Sequence, residues 1–164
     1  MQYFLGLTGY HWALLGAGVA SIGGGAGSAA GITYIAHVAG GIITEDPDKF
    51  GPMLPLVAIP GTQGIYGFIT GILVAIFFGL LGGEGPKLAP LVGFQIFLAC
   101  LPVAFTCMIS AIFQGLTSVG AAPMIAKRTE EAGKALILPA LVETYAVLAL
   151  ILSIVLMLTI KNSM

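Results

Sequence analysis

Apolar residues run through this 164-residue chain in four long blocks, broken by three short polar stretches. No Asp, Glu, Lys or Arg occurs from Met1 to Thr44, from Met53 to Leu81, or from Leu88 to Ala126. The breaks are EDPDK at 45–49, GGEGPK at 82–87 and KRTEEAGK at 127–134. The last block, 135–160, holds one charge, Glu143. About 20 helical residues, at about 1.5 Å each, cross the hydrocarbon of a bilayer. The pattern therefore predicts an all-α integral membrane protein with helices over about 10–44, 52–81, 88–126 and 132–160. The first and third exceed the need and should project beyond the hydrocarbon on one side.

Composition agrees with this reading. The chain is 58 % hydrophobic and only 8 % charged, with a mean hydropathy of +1.05, where ordinary domains carry about 25 % charged residues. A net charge of −1 gives no basis for nucleic-acid binding. The stretch SIGGGAGSAAG at 21–31 is nearly free of large side chains. In water each Gly would cost a helix about 1 kcal/mol relative to Ala; in lipid it lets helix backbones approach. GGGAG is not read as a phosphate loop, because no Gly-Lys-Ser/Thr follows it. No nucleotide motif is present, so any nucleotide chemistry belongs to other chains. The start, MQYFLGLTGYHWALL, lacks a basic region and reads as the entry to the first helix, not as a signal peptide. Tyr3, Tyr10, His11 and Trp12 suit an interfacial anchor. Cys100 and Cys107 read as small buried apolar groups, and His37 as a helix-end residue without a special role.

Candidate chemistry lies in the polar residues within the apolar blocks. A carboxylate at mid-helix costs about 2.5–3.5 kcal/mol on insertion scales, so Glu143 is expected to face a proton, an ion or a partner group. The second helix carries Pro55, Pro60, Gly61 and Gly64. Proline removes a backbone hydrogen bond, and broken helix at membrane depth is tolerated where it faces protein, water or an ion. Thr62, Gln63 and Tyr66 follow and share a broad face. The third helix carries Thr106, Ser110, Gln114 and Ser118 at intervals of four, with Thr117 beside them. The hydroxyls read as interhelical glue, whereas the Gln114 amide needs several partners in lipid. Pro139 stands four residues before Glu143.

The chain also repeats at half its length. Ser28-Ala29 matches Ser110-Ala111, Ile43 matches Ile125, and Gly51 matches Gly133. Leu54, Leu56, Ala58 and Thr62 match Leu136, Leu138, Ala140 and Thr144 in the same register. The chain thus reads as a single membrane domain of two tandem helical hairpins, 1–82 and 83–164. Glu143 pairs with Gly61, so one carboxylate serves two hairpins. The loops at 45–51 and 127–134 share one side, with both termini on the other. They hold Lys49, Lys127, Arg128 and Lys134, against Lys87 and Lys161 elsewhere, which predicts that these two loops are cytoplasmic.

PGTQGIYGF at 60–68, FQG at 113–115 and LVETYAVL at 141–148 closely resemble the membrane-rotor proteolipid (the K or c subunit) of V-type ATPases, in its sodium-translocating bacterial form. The resemblance covers nearly the whole chain. It implies a ring of copies, with the first and third helices inside and the second and fourth outside. It also implies a stator membrane subunit supplying a cation, central-stalk partners, surrounding lipid, and ATP hydrolysis on other subunits. Its ion ligands fall on Glu143, Gln63, Gln114, Thr62 and the Ile59 backbone carbonyl, with Tyr66 hydrogen-bonding the carboxylate. Two amides and a hydroxyl beside one carboxylate suit Na⁺, a hard cation that takes several oxygens, better than H⁺, which remains the alternative. A small multidrug/cation exchanger is a further alternative, disfavoured by the duplication.

Overall fold

A computed structural model describes residues 3–82 and 88–164. The middle polar loop, with Glu84 and Lys87, lies mostly outside the described residues. The helices are α1 (Gly9–Glu45), α2 (Phe50–Ala58), α3 (Thr62–Phe77), α4 (Pro90–Lys127) and α5 (Ala132–Asn162). α2 and α3 are one span, Pro47–Phe77, joined through a tight 3₁₀ turn at Ile59–Gly61. The described residues thus hold four spans long and apolar enough to cross a membrane, as the blocks predict. The broken second helix expected from Pro55 and Pro60 is corrected to a continuous span with one tightened turn. Pro139, Pro102 and Pro123 likewise stand inside unbroken helices.

The second span ends at Phe77, not at 81 as the apolar pattern suggests. Gly79 adopts φ +66°, a left-handed conformation that glycine takes without steric penalty. The Leu80 N–H then turns back to the Ala75 carbonyl at 2.9 Å, closing the helix with a Schellman-type cap. At the other end of the first span, Phe4–Leu7 forms a small reversal ahead of α1. Trp12 donates its indole N–H to the Phe4 carbonyl at 3.0 Å and packs among Phe4, Phe94 and Phe97. Its polar edge is therefore satisfied within the protein.

α1 and α4 lie along one another for their full length. The buried positions of α1 include Gly9, Ala13, Gly16, Ala20, Gly23, Gly27, Gly31, Ile35 and Ala39. They alternate steps of four and three as far as Gly27 and then run in steps of four, a continuous stripe along one side of the helix. The backbones touch at several points: a Cβ on Gly93 would run into the Gly9 backbone, and one on Gly115 into the Gly31 backbone. α3 packs on α1, α5 packs on α4, and α3 meets α5. Lys49 Nζ donates to Thr129 Oγ1 at 2.6 Å, so the first and third polar loops share one end. Lys161 stands over the Phe77 ring at the other end. Cys100 and Cys107 are buried free thiols.

Gly115→Ala should lower the stability of the purified protein by about 1–3 kcal/mol, as overpacking does, read as an earlier thermal transition in detergent. Gly40→Ala, whose Cβ meets nothing within 4 Å, should leave the transition in place. Equal transitions in the two variants would refute the backbone contact.

Candidate functional site

The residues singled out in the sequence meet where α3, α4 and α5 converge. The tight turn at Ile59–Gly61 sets the start of α3. The Thr62 hydroxyl turns back to donate to the Ile59 carbonyl at 3.0 Å and lies 3.2 Å from Gln63 Oε1. Three oxygens of different kinds are gathered there: a backbone carbonyl, a hydroxyl and an amide carbonyl. Gln63 is fully buried, and so is Gln114 on α4. Their amides join directly, Gln63 Nε2 donating to Gln114 Oε1 at 2.6 Å.

Glu143 reaches this cluster from α5. Its Oε1 accepts from the Tyr66 hydroxyl at 2.6 Å, and its Oε2 lies 3.4 Å from Gln114 Nε2. Gln114 Nε2 also donates to the Pro139 carbonyl at 3.0 Å. Among the described residues, Thr62 and Gln63 connect to Glu143 through Gln114, not by a hydrogen bond of their own. The carboxylate is half-buried. It borders an outward-facing groove with Ala140, Thr144, Val147 and Leu148. Both ion pairs seen among the described residues lie at the polar ends of the spans, Lys49–Asp46 and Lys134–Glu131. No cationic side chain among the described residues stands at salt-bridge distance from Glu143.

This arrangement can hold a negative charge with a phenol and an amide, but supplies no fixed positive charge to cancel it. Five of the six predicted site residues, Glu143, Gln63, Gln114, Thr62 and Tyr66, form one connected network, and the sixth, Ile59, joins it through its carbonyl. Two further members carry no distinct signal in the sequence. The Pro139 carbonyl takes part as an acceptor, where the position of the proline suggests only a local irregularity. Ser110, whose spacing reads as helix glue, donates to the Val142 carbonyl at 3.0 Å and lies 3.4 Å from Gln63 Nε2. The rest of that stripe divides: Ser118 is buried and Thr117 bonds the Phe113 carbonyl of its own helix. In the first hairpin, Ser28 Oγ accepts from the Gly64 N–H at 2.8 Å. Gly61, the counterpart of Glu143, faces the side chain of Ile32.

Residues 15–74 and 97–156 each match the family of the ATP synthase C subunit. The two matches are offset by the same 82 residues as the internal repeat. The V-type sodium ATPase subunit K of Enterococcus hirae is 39 % identical over 150 residues, covering 92 % of each chain. The A-type ATP synthase subunit K of Methanocaldococcus jannaschii is 34 % identical over 143 residues, covering 87 % of this chain and 58 % of that protein. The duplicated hairpins and the single carboxylate in the last span are thereby accounted for without the small exchanger. The chain belongs to the ATP synthase C-subunit family, as a multi-pass V-type proteolipid and a non-catalytic, ion-carrying member of the rotor ring of an ATPase complex.

Proposed function

We propose that this chain carries Na⁺, bound at Glu143, across the membrane as its ring turns. The observation that carries the reading is a mid-span carboxylate with hydroxyl and amide partners and no cationic neighbour among the described residues. An uncompensated charge at that depth is costly, and a mobile cation removes the cost. The Ile59 carbonyl, Thr62 Oγ1 and Gln63 Oε1 form an oxygen set suited to a hard cation. Gln114 completes it if its Oε1 leaves Gln63 for the ion. Tyr66 holds the other edge of the carboxylate. The Enterococcus hirae relative is a subunit of a sodium ATPase by name, which also favours Na⁺.

A loaded site is neutral and can face lipid. An emptied site is charged and is stable only against water or a positive group. A cation on a stator membrane subunit supplies that group, and the difference between the two states gives rotation its direction. Central-stalk subunits transmit the torque. The loops at 45–51 and 127–134 face the cytoplasm, since Lys49, Lys127, Arg128 and Lys134 cluster at that end. The second reading is H⁺ at the same carboxylate. It is favoured by the Gln63–Gln114 bond, which turns one amide oxygen away from Glu143.

Glu143→Gln removes the charge with little change in shape. It should leave the ring assembled and abolish ion-coupled ATP hydrolysis by the whole complex. Coupled pumping at the normal rate would refute the role of Glu143. At fixed pH, Na⁺ should slow carbodiimide labelling of Glu143 in the wild-type ring, whereas labelling indifferent to Na⁺ would favour H⁺. Gln63→Ala and Gln114→Ala should each raise the Na⁺ concentration needed for half-protection about tenfold or more, since a ligand to a charged partner contributes about 1.5–3 kcal/mol. Unchanged protection would remove that residue from the shell.

A further inference from the structure

Ser110 is 5 % exposed and sits beside the site, on the same face of α4 as Gln114. Its hydroxyl has one proton to give. The Val142 carbonyl, 3.0 Å away, can only accept, so the proton goes there. Toward Gln63 the serine therefore presents lone pairs alone. Gln63 Nε2, at 3.4 Å, answers with an N–H. An amide that turns its nitrogen to Ser110 must turn its oxygen the opposite way. In this structure that oxygen, Oε1, lies by Thr62 Oγ1.

Gln63 Nε2 has a second acceptor, Gln114 Oε1 at 2.6 Å. Gln114 is itself oriented by the Pro139 carbonyl, which takes its Nε2 at 3.0 Å. Two acceptors thus hold the Gln63 amide. If Gln114 Oε1 turns to a cation, it releases Gln63 Nε2, and Ser110 becomes the acceptor that remains. A rotated Gln63 would then point N–H groups at the cation. Resting on the Na⁺ reading given above, we propose that Ser110 is a positioning residue: it locks the Gln63 amide with its carbonyl oxygen toward the ion, and so sets the affinity for Na⁺ without touching the ion. The counterpart in the first hairpin, Ser28, instead accepts from the Gly64 backbone N–H. The two matched serines thus do different work: one holds a backbone, the other an amide side chain.

The test is carbodiimide labelling of Glu143 in purified, assembled rings at fixed pH, with and without Na⁺. Ser110→Ala should label at the wild-type rate without Na⁺, because Tyr66 and Gln114 still hold the carboxylate. Its Na⁺ concentration for half-protection should rise about three- to tenfold, the loss of one modest hydrogen bond. Ser110→Thr keeps the hydroxyl, and the open groove of about 340 Å³ beside it, lined by Ile109, Phe113 and Tyr145, has room for the added methyl group. It should restore protection to about twofold of wild type. Ser153→Ala removes another buried hydroxyl, one that accepts from the Val103 N–H, and should leave protection unchanged. If the alanine ring does not assemble, Ser110→Cys keeps the volume with a poorer acceptor and should weaken protection in the same direction. Unchanged half-protection in Ser110→Ala, or in Ser110→Cys where that variant stands in, overturns the role of Ser110. An equal rise in Ser153→Ala overturns it too, as does a threonine variant as weak as alanine. Wild-type rings that gain no protection from Na⁺ overturn the ion reading itself, and the proposal with it.

Discussion

In a bilayer the lipid tails are as apolar as leucine, so no hydrophobic force presses one helix on another. What holds this protein together is close backbone contact along the α1–α4 seam, as at Gly9 against Gly93 and Gly31 against Gly115. That contact decides where everything else stands. α3 lies on α1 and α5 lies on α4, so the distance between α1 and α4 sets the distance between α3 and α5. Gln114 is one residue from Gly115. A side chain at the crossing would displace the amide that links α3 to α5.

The seam also explains why the polar stripe of α4 survives in an apolar span. Buried polar groups in lipid must be met by protein. Gln114 meets Gln63, Pro139 and Glu143, and Ser110 meets Val142 and Gln63. Each of these hydrogen bonds crosses from one helix to another, and those to Gln63 and Gln114 orient their amides. The site is therefore a directed chain of donors and acceptors. It runs from Gln63 through Gln114 and Glu143 to Tyr66, with the Thr62 hydroxyl and the Ile59 carbonyl beside its start.

Glu143 changes character in this setting. Taken alone it is a costly charge in an apolar block. In the folded chain it is half-buried, bordered by a groove open to the outside, and held by a phenol on one oxygen and an amide on the other. Its hydrogen-bond partners among the described residues, Tyr66 and Gln114, are neutral. A fixed lysine or arginine would pin the charge; a hydroxyl and an amide leave it available to a cation or to a group outside the chain.

Much of this was legible in the residues. Four spans follow from the distribution of charge, because lipid excludes charged loops. The hairpin duplication follows from matched residues such as Ser28 and Ser110. The placement of Thr62, Gln63, Gln114, Tyr66 and Glu143 on three helices, together with a resemblance carried by their motifs, pointed to one site. Other features depended on geometry. The stop at Phe77 came from a glycine at φ +66° inside an apolar run, where hydropathy is blind. The prolines at 55, 60 and 139 tightened or sat within helices without breaking them, because the backbone accommodated them locally. Ser110 reads as glue, since nothing in its spacing says which atom of a glutamine it faces. Hydropathy and spacing assign residues to helices and faces, which are properties of one strand of chain. Only the packing of α3, α4 and α5 decided which donor met which acceptor, because a hydrogen bond depends on distance and direction between groups that lie far apart in the chain.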